Sequence, residues 1–223
     1  MEHQILFDQE LAELKRAILK MGNLVQGLIE RSVRAIKERD KNLAKSVIKD
    51  DVLVDQMELE IDDRSINLIA IRQPKAVDLR TIMTGLRIAT DLERIGDLAE
   101  DIAERAIELA EQPLLKPLID IPRMAALAQQ AVIFSLEAFV KDDVRKARAI
   151  WEIEKEVDHL RDLVHDELLG IMSKDATAIS RGIPLLLVSR HLERISDHAT
   201  NIAEDVVYMV EGKVVKHGGE KPV

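Results

Sequence analysis

The hexapeptide Leu-Glu-Arg-Ile-x-Asp occurs twice in this chain of 223 residues, as LERIGD from Leu92 to Asp97 and as LERISD from Leu192 to Asp197. The copies stand 100 residues apart and continue in parallel, LAEDIAE (Leu98 to Glu104) against HATNIAE (His198 to Glu204). A second offset, of 103 residues, relates Met21 to Met124, Ser32 to Ser135, Asp40 to Asp143, Ala44 to Ala147 and Asp55 to Asp158. Two halves that repeat in register are expected to fold into the same supersecondary unit twice. The change of offset places a three-residue deletion in the second copy, between Asp158 and Glu193. The chain is therefore expected to consist of two related tandem units, 1–112 and 118–212, with a tail at 213–223.

Each unit reads as three long helices. Apolar residues make up 47% of the chain and charged residues 33%, with only 2% aromatic, a mixture typical of all-α bundles. Periodicity and breaks predict helices at 4–39, 41–71 and 76–111, then at 121–140, 143–173 and 176–211. The first unit breaks at Arg39-Asp40 and Gln73-Pro74, the second at Ser173-Lys174-Asp175. Pro184 inside the last pattern predicts a kink. In the third helix, Ile88, Leu92, Ile95, Ala99, Ile102, Ala106 and Leu109 form a core seam. Val188, Leu192, Ile195, Ala199, Ile202, Val206 and Met209 repeat it.

Several classes of function are disfavoured. There is no cysteine, hence no disulfide, thiolate metal site or thiol nucleophile. No run of eighteen uncharged apolar residues suggests a membrane span, and the N-terminus lacks the pattern of a secretory signal. A soluble, intracellular protein is expected. A net charge of −9 argues against a nucleic-acid surface. Neither a glycine-rich phosphate loop nor a HExxH zinc pattern occurs, and Ser196, Asp197 and His198 are consecutive, so they point in different directions and form no triad. No enzyme emerges.

The repeated strip carries the chemistry. Glu93, Asp97 and Asp101 form a line on the third helix that points largely away from its seam, widened by Glu100 and Glu104. Like charges at i and i+4 destabilise a helix by ~0.2–0.5 kcal/mol each. A bound cation would offset that repulsion. Oxygen-only ligands favour hard cations such as Mg²⁺, Ca²⁺, Mn²⁺ or oxidised iron. A second helix must complete the shell: helix two offers Asp51, Asp55, Glu58 and Asp62, and helix five offers Glu154, Asp158, Asp162, His165 and Asp166. The competing reading is a solvated acidic face, partly neutralised by Arg94, Arg105 and Arg194. Spacing alone does not separate the two. Gly96, isolated in the helix, is read as permitting close packing.

The doubled motif, together with IAIRQPKAVDLR (Ile69 to Arg80), VDQMELEID (Val54 to Asp62) and HATNIAEDVVYMVEGKVVKH (His198 to His217), resembles the PhoU family of bacterial phosphate-transport accessory proteins. The resemblance covers nearly the whole chain. It implies an all-α fold of two tandem three-helix bundles, a cytoplasmic location and no enzymatic activity. It also implies negative regulation of the phosphate-starvation response by an adaptor standing between the ATPase subunit of the phosphate ABC transporter and a sensor histidine kinase. Membrane association would come only through those partners, and a homodimer is implied.

The family's Glu/Asp-xxx-Asp-xxx-Asp hallmark holds surface metal clusters in some members. Carried over, it gives Glu93, Asp97 and Asp101 in the first copy, and Glu193, Asp197 and Asn201 in the second. The matching positions on the facing helices are Asp55, Glu58 and Asp62, then Asp158, Asp162 and His165. Iron, manganese, magnesium or zinc would be the ions. Asn201 replaces a carboxylate and Arg161 aligns with Glu58, so the second site is expected to be weaker. The alternative function is a metal-binding or metal-storage bundle of the ferritin-like kind, whose ligands lie inside the core and include Glu-x-x-His. The off-seam carboxylates favour the adaptor.

Overall fold

A computed structural model describes residues 2–216 and 219–220, with side chains from residue 5 to 215. Six helices make up almost all of it: α1 Glu2–Glu38, α2 Lys41–Arg72, α3 Val77–Leu109, α4 Asp120–Lys141, α5 Val144–Met172 and α6 Ile179–Glu211. A 3-10 turn at Ala176–Ala178 leads into α6. After α6, the two-residue strands β1 (Val215–Lys216) and β2 (Gly219–Glu220) pair antiparallel. Within the stretch expected to be a plain tail, Val215 is buried, while His217, Gly218 and Lys221 to Val223 lie outside the described residues.

The duplication is visible at the level of single turns. Arg39 and Asp142, equivalent under the offset of 103, both take positive φ, 57° and 52°. Each is followed by an aspartate in extended conformation that caps the next helix. Asp40 accepts from the backbone N–H of Asn42 and Leu43, and Asp143 from that of Lys146. A carboxylate here satisfies N–H groups that the helix itself leaves unpaired. α2 has 32 residues and α5 has 29, so the three missing residues come from the end of α5. The break at Gln73-Pro74 is present, with Gln73 in the left-handed region at φ 49°. α6 runs unbroken through Pro184, which is buried near its start.

Within each bundle the third helix packs on the other two, and α3 and α6 then pack on one another. They run antiparallel: Arg80 reaches the Met209 carbonyl, Arg87 pairs with Asp205, and Asp101 lies beside His191. Asp91 approaches Asn201 as His191 approaches Asp101, an exchange of equivalent positions that marks an approximate two-fold axis. α1 and α4 meet near the same axis, where the Gln129 side chain donates to the carbonyl of its equivalent, Gln26. Buried side chains form one continuous core through both bundles. The α3 seam is buried from Ile88 to Ala106, with Leu109 half-buried at its end, and the whole α6 seam from Val188 to Met209 is buried. α4 is long and apolar enough by composition to cross a membrane, but half of its apolar stretch is buried inside the molecule, as in a core helix.

Replacing the cap should separate local from global effects. Asp40→Ala is expected to cost about 1 kcal/mol, within the ~0.5–2 kcal/mol range for caps, with the helical content of the native state unchanged. Urea unfolding followed by circular dichroism measures it. Loss of less than a few tenths of a kcal/mol would mean that Asp40 does not anchor this corner.

Candidate metal centre

α2 presents a core seam in steps of three and four residues: Ala44, Val47, Asp51, Val54, then Ile61, Ser65 and Leu68. Asp51 occupies a place that the pattern reserves for an apolar residue, and it is only 5% exposed. The opposing helix makes room for it. A Cβ on Gly96 would lie 2.6 Å from Asp51 Oδ1 and 3.2 Å from Val54 Cγ1, so the Asp51 carboxylate takes this position against α3 because residue 96 has no side chain.

Around this contact the acids converge. One ligand oxygen from each of Asp51, Asp55 and Asp97 lies within 4.8 Å of the others, the only such trio among the described residues. Burial is the largest cause that lifts the Asp51 carboxyl, to about 7, with Glu100, Asp55, Asp97 and Glu93 adding their charge. Glu93 and Glu100 are also raised, first by desolvation and then by neighbouring carboxylates. Arg94 offsets part of this, reaching Asp97 at 3.1 Å and Glu93 at 3.3 Å. The latter ion pair falls short of a hydrogen bond to Glu93 Oε2, which like Asp51 Oδ1 is buried without a hydrogen-bond donor in place. A buried acceptor left in that state costs roughly 1–3 kcal/mol. A cation shared by these oxygens would remove that cost and the mutual repulsion together, and an all-oxygen set suits a hard ion. The residues fit the group.

The expected ligands divide. Asp55 and Asp97 are in the trio. Glu93 borders it, and Glu58 lies close enough to raise Glu93 while accepting from the Thr90 hydroxyl at 3.0 Å. Asp101 also faces across to α6, 3.6 Å from His191 Nδ1. Asp62 and Asn201 stand apart from the trio. They line a groove of about 820 Å³ at the junction of the bundles, with Arg87, Asp91, Glu204 and Tyr208. Asp51 was nameable among the helix-two acids but was absent from the carried-over ligand set. The signal for it was its place in the α2 seam.

The second bundle differs. Glu154 stands at the equivalent of Asp51 and is raised chiefly by desolvation, with the nearby Thr200 hydroxyl, short of good hydrogen-bond geometry, drawing it back. Asp197 is raised by desolvation, then by Glu193 and Asp158, against His198 and Arg161. Glu193, Asp158 and Asp162 lie around Arg161, at 2.6, 3.8 and 2.8 Å. His165 is exposed, with Asp166 3.9 Å away.

Asp51 sets a pH dependence whose sign follows from its raised value. An unfolded aspartate ionises near 3.8, whereas the native one holds its proton to about 7. Its contribution is therefore fully present below pH 3.8 and is lost as the pH rises through 7. In metal-free protein, Asp51→Asn should remove roughly 1–4 kcal/mol of that decline between pH 4 and 7.5. Urea melts across this range in the presence of chelator measure it, and parallel profiles for the two chains would exclude Asp51 as the titrating group.

The duplicated three-helix unit has counterparts among known proteins. The family model "PhoU domain" matches this chain twice, at residues 18–106 and 121–206. The chain is 43% identical to the phosphate-specific transport system accessory protein PhoU homolog of Aquifex aeolicus over 94% of its length and 95% of that protein's. It is 40% identical to the homolog of Rhizobium meliloti, over 97% and 91%. The crystal structure of PhoU from Pseudomonas aeruginosa is similar with a TM-score of 0.89 and 37% identity, covering 92% of this chain and 99% of that one. The phosphate transport system regulatory protein PhoU from Streptococcus pneumoniae gives 0.88 and 30%, covering 94% and 99%. A match in both halves, at this identity and over nearly the full length, makes the chain a member of the PhoU family.

Proposed function

We propose that this protein is a cytoplasmic accessory regulator of phosphate transport that restrains the phosphate-starvation response when phosphate is plentiful. It would do so as an adaptor, docking on the ATPase subunit of the phosphate ABC transporter and on a sensor histidine kinase, and without catalysis of its own. The observation that carries the reading is likeness over nearly the whole chain to proteins named as accessory or regulatory to phosphate transport. Long helices with exposed faces suit recognition of partner helices, and a homodimer is part of the proposal.

Within that role we assign a hard cation to the first bundle, held by Asp51, Asp55 and Asp97 with Glu93 and Glu100 beside them. When bound it would supply positive charge to a buried acidic contact between α2 and α3. A storage function is less well supported. The trio sits between two helices of a three-helix bundle, rather than within a four-helix core with paired Glu-x-x-His motifs.

Two measurements test these readings separately. Deleting the gene should raise expression of phosphate-regulated genes in phosphate-rich medium. Unchanged expression, in a cell with no second family member, would refute the regulatory role. Elemental analysis of protein purified without chelator should show metal that falls at least several-fold in an Asp51→Asn, Asp97→Asn double variant, and equal metal content would refute the site.

A further inference from the structure

We propose that Arg161 is a resident cation that closes the second bundle to metal, so that the chain responds to metal through its first bundle alone. The proposal builds on the assignment of a metal site to the first bundle, but it is carried by different residues. Under the offset of 103, Arg161 occupies the place of Glu58, the helix-two position that faces the strip in the first bundle. Its guanidinium lies 2.6 Å from Glu193, 2.8 Å from Asp162 and 3.8 Å from Asp158. Three members of the expected ligand set are thus already turned toward one positive charge, which α5 delivers across to Glu193 of α6 and shares with its own Asp158 and Asp162. A guanidinium carries five N–H donors in a rigid fork and does not lose its charge in proteins, so it serves several carboxylates at once without depending on pH.

The arginine is not easily displaced. Its side chain is 32% exposed and that of Glu193 18%, so swinging Arg161 into solvent would strand a largely buried carboxylate. The first bundle also has an arginine against its strip, but Arg94 comes from the same helix, is 56% exposed, and leaves Glu93 Oε2 and Asp51 Oδ1 without hydrogen bonds. That arrangement leaves acceptors for an ion; the Arg161 arrangement fills them. Three further replacements act in the same direction. Thr200 stands for Glu100 and Asn201 for Asp101, each removing a negative charge. Ser196 stands for Gly96 and is buried, so side-chain atoms occupy the space that admits Asp51 in the first bundle. Among the described residues, no trio equivalent to Asp51, Asp55 and Asp97 gathers in the second bundle.

Manganese(II) binding to the full chain, stripped with chelator and followed by electron paramagnetic resonance and by thermal melts, provides the test. In an Asp51→Asn, Asp97→Asn background, which removes the first site, the chain with Arg161 intact should bind Mn²⁺ at least tenfold more weakly than wild type. Adding Arg161→Glu should restore binding of about one equivalent, since a carboxylate replaces the guanidinium, and Mn²⁺ should then raise the melting temperature. Arg161→Gln removes the charge without adding a ligand and serves if the glutamate variant fails to fold. It should show a smaller gain. Strong binding in the Arg161-intact background that disappears with Glu193→Gln and Asp197→Asn would overturn the proposal. So would folded Arg161→Glu and Arg161→Gln chains that gain no metal. If wild type binds no Mn²⁺ at all, the first-bundle site fails, while a gain in the Arg161→Glu chain still supports the role of Arg161.

Discussion

The antiparallel packing of α3 on α6 is the contact that ties the molecule together. Each of these helices closes its own three-helix bundle and also faces the other across the approximate two-fold axis. They are accordingly buried on more than one side: besides its seam, α3 hides Ala89, Gly96, Leu98 and Ala103. Small residues on those sides let a central helix approach several neighbours, and they replace the wide polar face that a two-helix contact would leave. With that face reduced, the carboxylate strip is pushed to the boundary of the core. Glu93 is therefore mostly buried, and the strip is a partly desolvated wall.

Desolvation is what gives the first bundle its chemistry. An exposed acidic strip is screened and costs little. The same charges gathered around Asp51, which sits in a core position behind a glycine, raise one another and leave oxygens without donors. Such an arrangement is tolerated when a proton or a cation compensates it. The α2–α3 contact can thus report on whatever supplies that charge, and a change there bears directly on α3, the helix through which the first bundle packs on α6.

The second bundle solves the same electrostatic problem with its own side chain. Arg161 gives a permanent internal pair where the first bundle has its proposed ion, at the cost of desolvating a guanidinium, a cost that Asp162, Glu193 and Asp158 reverse. Duplication supplied two copies of one architecture, and a few substitutions at equivalent positions made them electrostatically unlike. Under the proposed adaptor role this would separate the two halves: the first bundle would vary with the ion proposed for it, while the second keeps its internal Arg161 contacts.

The fold was legible in the sequence because its determinants are local or periodic. The heptad seams of α3 and α6, the aspartates after Arg39 and Asp142, and the Gln73-Pro74 break each act within a few residues, and the doubled motif showed that the answer had to repeat. The acidic residues of the site were legible as types. Which of them meet was not, since that depends on helix rotation and on the spacing between helices. Asp55 and Asp97 join because α2 and α3 touch at Gly96, whereas Asp62, two turns along α2 from Asp55, diverges into the junction groove, and Asp101 also comes beside His191 of the other bundle. Asp51 shows the division most clearly. Its sequence marks it as one acid among seven on α2, and only burial against a residue without a side chain makes it the one whose carboxyl holds its proton to about 7.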